Sequence, residues 1–479
     1  MLELHRQVVA EFEGLQLGDK RLETRVRSLV RDLSANPQAS ILKVAPTTAA
    51  AEASYRLIRN RRVTMGAMLE PHMMHTAERC ASVEKVLVIH DTSTFEYGGA
   101  RKGLGRVRTK TSQGFLFHAS FAVEIGTRRP LGLVASKVWT RDETRTSKTQ
   151  GKNGPRKTAG GDYARMGAKE SDRWREQIES SSQRLVGCKK VIHVADREAD
   201  IYALLAELTA RGESFVIRLA RDKKARATPD GELESLIEVA TRAKGCAEVD
   251  VAISARRATA LPRQTKTFGT REARSARLEF AAATAEIRGP KYASKTRPSS
   301  IPIHVVHVRE PDAPSEKDAI EWLLLTSEPV DTDAQVREVV EIYRTRWTIE
   351  EFFKALKTGC SMEDRELESL HTLTNVLAIC IPIAHHLLAV RHLARTRPTA
   401  PAELVLTRAQ IAVLQAKARL PQNPTAHQAL VAVAYLGSHF VPFERRQPGW
   451  QVLGLGMERL LALEEGWLAH AAAQDTIKR

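Results

Sequence analysis

Three carboxylates in this chain stand where a phosphoryl-transfer site would need them. Asp91 and Asp196 each follow a short apolar run, at 86–90 and 191–195, and Glu350 lies in a segment with helical spacing. Runs of about five apolar residues are too short for a helix and are typical of buried strands. An ionised carboxylate at the end of a buried strand needs a partner or a metal ion. The three residues therefore predict a shared metal site built from two strand ends and a helix.

The segment 343–357 predicts a helix with one charged face. At about 100° per residue, that face carries Tyr343, Arg346, Glu350, Lys354 and Lys357. Glu351 is turned about 100° away from it. Tyrosine, arginine and lysine beside a metal-binding carboxylate are suited to gripping a DNA phosphate. The alternative is a solvated face with helix-spaced ion pairs, and for Asp196 the alternative is a helix N-cap. Two aspartates in the same context favour the metal site.

These residues resemble the insertion-sequence-four family of bacterial DDE transposases. The spacing Tyr343-x2-Arg346-x3-Glu350-x6-Lys357 is similar to that family's signature. Asp91-Thr-Ser and Asp196-Arg-Glu-Ala-Asp-Ile-Tyr look like its two aspartate segments. The likeness extends to the segments 17–19, 55–60 and 322–329. It covers most of the chain up to about residue 360 and, more loosely, the C-terminal third.

The resemblance implies cut-and-paste transposition of a mobile DNA element. The steps would be nicking, a hairpin at the transposon end, its resolution, and joining of the 3′ ends to target DNA. Asp91 would bridge two Mg²⁺ ions per active site, and Asp196 and Glu350 would ligate one each. Mn²⁺ is expected to substitute, because oxygen-only ligands suit both ions. Arg346 and Lys357 would hold phosphates that flank the cut.

Further DNA contacts are implied by the same resemblance. Tyr343 would donate a hydrogen bond to a phosphate. Trp322 matches the aromatic residue on which the family stacks a flipped base, although core packing at a strand start is the alternative. Arg218 matches an arginine that contacts the transposon end. Ala220 stands where a basic neighbour is expected, which leaves the specificity for the end sequence open.

Composition favours a polyanionic partner and a reducing compartment. The formal net charge is +16 over 479 residues, which suits double-stranded DNA more simply than a membrane surface. The N-terminus has no apolar core of a signal peptide. The apolar stretch at about 373–394 is interrupted by polar residues and reads as a buried helix. Five scattered cysteines argue against a disulfide framework or zinc. We expect a cytoplasmic protein that associates with the nucleoid when bound to DNA.

The pattern of the chain predicts three domains in an α/β protein. Residues 1–70 should form a helical domain that binds the transposon end, with the candidate contacts Arg21, Arg25 and Arg59. Residues 71–370 should form a ribonuclease-H-like catalytic core with a β-rich insertion at about 225–320, because the gap between Asp196 and Glu350 far exceeds one connection. Residues 371–479 should form a helical dimerisation domain. A basic, glycine-containing loop is expected at 140–170.

Two other functions use parts of the same pattern. A ribonuclease-H-like nuclease without strand transfer would need the three carboxylates, but neither the tyrosine, arginine and lysine series nor the helical flanks. A non-catalytic DNA-binding inhibitor of transposition would not need intact carboxylates. The sequence does not favour a metal site at His385, His386 and His392, because it places no cysteine or carboxylate cluster beside them.

Overall fold

The structure is a computed structural model that describes residues 3–107, 112–141, 161–228, 230–253, 271–290, 297–315, 319–438 and 448–477. At 3–6, 161–171, 471–472 and 475–477 it describes the backbone alone. Five helices precede the first strand. They are α1 (Glu3–Ala10), α2 (Lys20–Ala35), α3 (Ile41–Val44), α4 (Thr48–Arg59) and α5 (Met65–Ala81). Polar side chains cap α2 to α5, at Asp19, Ser40, Thr47 and Thr64, which satisfies backbone donors that a helix start leaves open.

A large mixed sheet forms the centre of the molecule. Its first half contains β1 (Val86–Tyr97), β2 (Gly105–Arg106), β3 (Gln113–Glu124), β4 (Pro130–Trp139), β5 (Val191–Ala195) and β6 (Ser214–Arg218). Helices α6 (Gly161–Arg184) and α7 (Tyr202–Ala210) flank β5 in sequence. The pairs β1–β5 and β5–β6 are parallel, whereas β1–β3 and β3–β4 are antiparallel.

The second half of the sheet comes from the region between Asp196 and Glu350. It contains β7 (Lys224–Arg226), β8 (Glu234–Ser235), β9 (Gly245–Ile253), β10 (Arg274–Arg288), β11 (Ser300–Arg309) and β12 (Glu321–Thr326), with α8 (Leu236–Arg242) between β8 and β9. The strand order β6–β12–β11–β10 makes these strands continuous with the first half. The prediction of an α/β protein is confirmed at the level of fold class.

Helices dominate the rest of the chain. They are α9 (Asp333–Thr345), α10 (Thr348–Lys354), α11 (Leu370–Thr396), α12 (Arg408–Ala418), α13 (Ala426–Leu436) and α14 (Trp450–Ile477). Within the described residues, α11 alone is long and apolar enough to cross a membrane, and most of its apolar stretch is buried inside the protein. Burial in the core is what the sequence predicted for this helix.

Three local predictions differ from the structure. Asp91 ends an apolar run but not the strand, because the β-branched residues after it continue β1 against β3 alone. The single helix expected at 343–357 is divided into α9, α10 and a π-helical turn, Ala355–Gly359. The expected loop at 140–170 is a helix from Gly161 onward, and its part at 142–160 lies outside the described residues.

Candidate active site

Two neighbouring parallel strands deliver the aspartates to the same place. The pairing of β1 with β5 ends at His90 opposite Ala195, so Asp91 and Asp196 are the next residues on each strand. Leu87 and Ile89, which alternate with His90, face the core under α10 and α11. Because side chains alternate along a strand, Asp91 faces that same side. The sheet thus presents both aspartates at a point where its hydrogen bonding between these strands stops.

Arg346 joins the third carboxylate to the first. Its Nη1 lies 3.2 Å from Asp91 Oδ2, and its Nη2 lies 2.7 Å from Glu350 Oε1. Arg346 occupies the tightened junction between α9 and α10, where backbone N–H groups bond to carbonyls three residues back. Its side chain is only 12% exposed. Asp91 and Arg346, which are 255 positions apart in the sequence, are therefore in contact. Glu350 joins them as predicted.

The site carries more negative charge than its cation can balance. Burial raises the pKa of Asp91 to about 7, and the carboxylates of Asp196 and Glu350 act in the same direction against Arg346. Like charges in a poorly solvated site favour the protonated acid or recruit a cation. The oxygens of the three acids do not all lie within 4.8 Å of one another. A divalent cation is the kind of partner that would offset their excess negative charge.

Asp196 also performs the alternative role considered for it. Its Oδ1 accepts a hydrogen bond from the backbone N–H of Glu198 at 2.9 Å and caps a short 3₁₀ turn, Arg197–Ala199. A cap uses one acceptor position of a carboxylate that has about four. The cap fixes the side chain at the strand end, which is compatible with metal ligation.

The π-helical turn changes the position of Lys357. A wider turn alters the angle between Glu350 and residues beyond 355, so the simple helical wheel no longer applies. Lys357 Nζ donates to the carbonyl of Thr94 on β1 and lies 3.2 Å from Glu363. Lys354 pairs with Glu351 instead of joining the acidic face. The segment 343–357 thus brings Arg346 and Glu350 to Asp91. It brings Lys357 to β1, the strand that carries Asp91.

Glu351 faces away from the acids, as predicted, but it has partners of its own. It pairs with Arg391 of α11 and accepts a hydrogen bond from Trp450 Nε1 of α14 at 3.3 Å. Arg391 also lies 4.8 Å from the centre of the Trp450 ring. The pKa of Glu351 is lowered, because Lys354 and Arg391 outweigh the opposing effect of burial. Sequence reasoning missed this network, since its members are distant in sequence.

A cluster of aromatic and basic residues flanks the acids. Trp322, half-buried at the start of β12, meets Tyr343 edge to face at 5.6 Å. Tyr343 is 6% exposed, and burial raises its pKa against the effects of Arg346 and Arg218. Arg218 Nη2 donates to the carbonyl of Glu321 at 3.0 Å. The structure thus brings Trp322, Tyr343 and Arg218 together. Trp322 also packs against the hydrophobic core, which is the alternative role considered for it.

Asp200 is a further residue that sequence reasoning passed over. Its side chain is fully buried, lies 2.6 Å from Lys223 Nζ, and accepts from the backbone N–H of Ala220 at 2.8 Å. It therefore holds the loop that follows Arg218 and contains the unexpected alanine. The available signal was a second aspartate four positions after Asp196.

The predicted arginines of the N-terminal helices lie apart from the acids. Arg21 and Arg25 are exposed on α2. Arg59, at the end of α4, pairs with the exposed Glu368 at 3.1 Å and lies over the Tyr55 ring. Within the described part of the chain, none of these three arginines pairs with Asp91, Asp196 or Glu350, and each is exposed to solvent.

Two family models match this chain. Residues 7–63 match the model described as transposase DNA-binding, and residues 166–383 match the transposase DDE domain. The second match contains Asp196 and Glu350, whereas Asp91 lies between the two matches. The mixed sheet with its helices is consistent with the ribonuclease-H-like core of such a domain.

Proposed function

We propose that this chain, which carries the DNA-binding and DDE domains of a DNA transposase, excises and inserts a mobile element by a cut-and-paste reaction. It would bind the terminal inverted repeats, cleave through a hairpin intermediate and join the 3′ ends to target DNA. We infer from the spacing of its signature residues that it belongs to the insertion-sequence-four family, near the transposase of transposon five. The observation that carries the proposal is that Arg346 pairs with both Asp91 and Glu350, while Asp196 lies close enough to raise the pKa of Asp91.

The carboxylates are suited to holding two Mg²⁺ or Mn²⁺ ions. When bound, such ions activate an attacking water or hydroxyl group and stabilise the leaving oxygen of a phosphodiester. Asp91 senses the charges of both Asp196 and Glu350 and would be shared between the ions. Arg346 positions Asp91 and Glu350 before binding, and can then turn one guanidinium edge to a DNA phosphate. Lys357, beside Thr94, would hold a second phosphate.

DNA recognition would use two surfaces. In the N-terminal domain, Arg21, Arg25 and Arg59 would contact the phosphates and bases of the transposon end. Beside the acids, Trp322 would stack on a flipped base, an interaction of about 1–3 kcal/mol. Arg218 and Tyr343 would bind the adjacent backbone, which requires Tyr343 to become more accessible than it is in the free protein. Breaking an exposed pair such as Arg59–Glu368 costs little, so DNA can replace Glu368.

The C-terminal helices would pair two copies at the joined ends. Three apolar side chains within six residues of α14 are exposed: Leu463 is 38%, Trp467 is 47% and Leu468 is 43% exposed. A two-fold dimer requires only one self-complementary surface and fixes two active sites relative to each other. We infer a three-domain division at 1–70, 71–370 and 371–479, cleavage in trans, and a cytoplasmic location at the nucleoid.

The test is cleavage of plasmids that carry the DNA flanking the coding sequence. The wild-type chain should cut at inverted repeats in Mg²⁺ or Mn²⁺, give a hairpin at the excised end, and insert that end into a second plasmid. Cutting at the repeats without insertion would support the nuclease alternative. Binding without cutting in either metal would support the inhibitor alternative.

A further inference from the structure

A second cluster of ligating side chains lies away from the acids, where the N-terminal helices meet α11. Glu11 directly follows α1, His72 belongs to α5, and His385 and His386 are consecutive in α11. Glu11 is 3% exposed, and His72 and His385 are 0% and 3% exposed. The sequence did not favour a metal site at His385 and His386, because no carboxylate lies near them in the chain. The fold brings Glu11 to His386 from 375 positions away.

Glu11 holds both histidine-bearing helices through its two oxygens. Its Oε1 lies 3.0 Å from His386 Nε2, and its Oε2 lies 2.7 Å from His72 Nδ1. His72 Nε2 accepts from the backbone N–H of Leu133 at 3.2 Å. His72 is therefore neutral with its proton on Nδ1, and it is already satisfied as a hydrogen-bond partner of the carboxylate.

His385 has a nitrogen with nothing to bind. Its Nε2 donates to the carbonyl of Pro130 at 3.4 Å, whereas its Nδ1 is buried without a hydrogen-bond partner. A buried polar atom without a partner costs about 1–3 kcal/mol. Metal-ligating histidines characteristically donate their other N–H to a carbonyl or carboxylate. His385 has this arrangement, with Nε2 on a carbonyl and Nδ1 left unpaired.

We propose that Glu11, His385 and His386 bind a divalent transition-metal ion of the Zn²⁺ type, which fastens the end of α1 to α11. The ligand atoms of these three residues lie within 4.8 Å of one another, and no other such group occurs among the ranges the structure describes. Imidazole and carboxylate donors suit Zn²⁺, Co²⁺ and Ni²⁺. Ligands about 2.0–2.2 Å from a tetrahedral ion are about 3.3 Å apart, close to the spacing of Glu11 and His386.

The protonation of the cluster leaves the ligands ready at neutral pH. Burial holds the pKa of His385 well below its usual range, so its ring is neutral. Burial would raise the pKa of Glu11, but His72 and His386 outweigh it and keep the carboxylate ionised. The ion would take the place of the proton between Glu11 and His386.

Arg79 contacts both oxygens of the carboxylate and limits the site to a modest affinity. Its Nη1 is 2.9 Å from Glu11 Oε1 and its Nη2 is 3.3 Å from Oε2, while its Nε donates to the carbonyl of Leu131 at 2.7 Å. His75 Nδ1 stands 4.0 Å from Glu11. A cavity of about 420 Å³ lined by Glu11, His75 and Arg79 gives an ion or a fourth, water ligand access from solvent.

The site would couple the DNA-binding domain to the core. Glu11 lies in the segment that matches the transposase DNA-binding model, residues 7–63. An ion held by Glu11 and α11 would therefore stabilise the docking of that domain. This inference does not depend on the proposed catalytic site, and its test excludes ions bound there.

The test is a Co²⁺ and Zn²⁺ titration of the full chain that carries Asp91→Ala and Glu350→Ala. One Co²⁺ per chain should bind, with visible absorption bands of nitrogen and oxygen ligation, and Zn²⁺ should displace it. Adding His386→Ala should weaken binding by about 100-fold or more, beyond the loss typical of an outer partner. His392→Ala is the matched control on the same helix, since His392 lies near Arg395, Arg129 and Glu124 instead, and it should bind normally.

A second pair of measurements guards against misfolding. Zn²⁺ should raise the melting temperature of the parent protein and leave that of His386→Gln unchanged, because glutamine keeps a hydrogen bond to Glu11 without an imidazole nitrogen. If the parent binds no ion, or if both His386 variants bind as tightly as the parent, the cluster is a hydrogen-bonded clamp and the proposal is wrong.

Discussion

Two carboxylates in this molecule lie in opposite electrostatic surroundings. Glu11 is surrounded by His72, His386 and Arg79, and its pKa lies below the usual range. Asp91, whose side chain is 20% exposed, lies beside two further acids and one arginine, and its pKa is raised to about 7. The fold therefore stabilises the ionised form of Glu11, whereas it destabilises the ionised form of Asp91. Strongly shifted pKa values are common at functional sites, so we expect the Asp91 region to be the reactive one.

Neighbouring glutamates repeat the contrast within one helix. Glu350 shares Arg346 with Asp91 at the acidic site. Glu351, one residue later, is fixed by Arg391 and Trp450 of the C-terminal helices. Removing Glu350 should therefore impair chemistry, and removing Glu351 should impair stability.

The largest expected effect is on nicking. Asp91→Ala, Asp196→Ala or Glu350→Ala should each lower Mg²⁺-dependent nicking by about 10³-fold or more, because each removes a ligand from the metals that carry the reaction. Binding to a labelled transposon end, measured by gel shift, should stay within about threefold of wild type. Glu207→Gln is the control and should nick normally, because it removes a partly exposed carboxylate of α7 that pairs with Arg211. Retained nicking in any of the alanine variants would remove that residue from the site.

The second effect separates Glu351 from Glu350. Glu351→Ala leaves the largely buried Arg391 without its partner, which should lower the free energy of unfolding by about 2–4 kcal/mol. Below its melting temperature the variant should still nick. Glu350→Ala should show the reverse, with a melting temperature near that of wild type and no nicking. An inactive, fully folded Glu351→Ala would show that Glu351 acts in the chemistry.

The third effect depends on pH. Because the pKa of Asp91 is raised in the folded state, its ionisation lowers the free energy of unfolding as the pH rises. This loss of stability is absent below about pH 4 and complete above about pH 7. Asp91→Asn should remove this penalty and raise the free energy of unfolding at pH 8 in EDTA by about 4 kcal/mol, since the pKa is raised by about three units. Denaturation at pH 4 should show no difference between the variant and wild type. A variant that is less stable at pH 8 would mean that Asp91 is compensated in the same way as Glu11.

The smallest effect concerns Arg59. Because its pair with Glu368 is exposed, Arg59→Ala should change the free energy of unfolding by less than about 0.5 kcal/mol. Binding to the transposon end should nevertheless weaken, and the slope of log K against log salt should fall by about 0.9 if one phosphate contact is lost. An unchanged slope would place Arg59 outside the DNA interface.

Local patterns predicted what local sequence controls. The apolar runs before Asp91 and Asp196 located β5 and the start of β1, because burial on both faces requires such runs. The continuation of β1 past Asp91 depends on pairing with β3, which the run itself does not encode. The same holds for Asp200, whose partners lie on a loop about twenty positions later.

Helical periodicity explains both the success and the error around Glu350. A spacing of four residues correctly joined Arg346 to Glu350. It did not predict the partners of Lys354 and Lys357, because a wheel of fixed angle cannot represent a tightened junction at 346–347 or a π-helical turn at 355–359. The clusters at Glu351 and Glu11 stayed invisible, since they join residues that only the tertiary fold brings together.

Mn²⁺ binding at the acidic site tests the central claim most directly. Electron paramagnetic resonance would follow titration at pH 8 of the full chain carrying His386→Ala, which disables the second cluster. This protein should bind two Mn²⁺ per chain, and adding Asp91→Asn should remove both, whereas adding Glu351→Gln should leave both in place. Equal binding with and without Asp91→Asn would contradict the assignment of Asp91, Asp196 and Glu350 as a two-metal site.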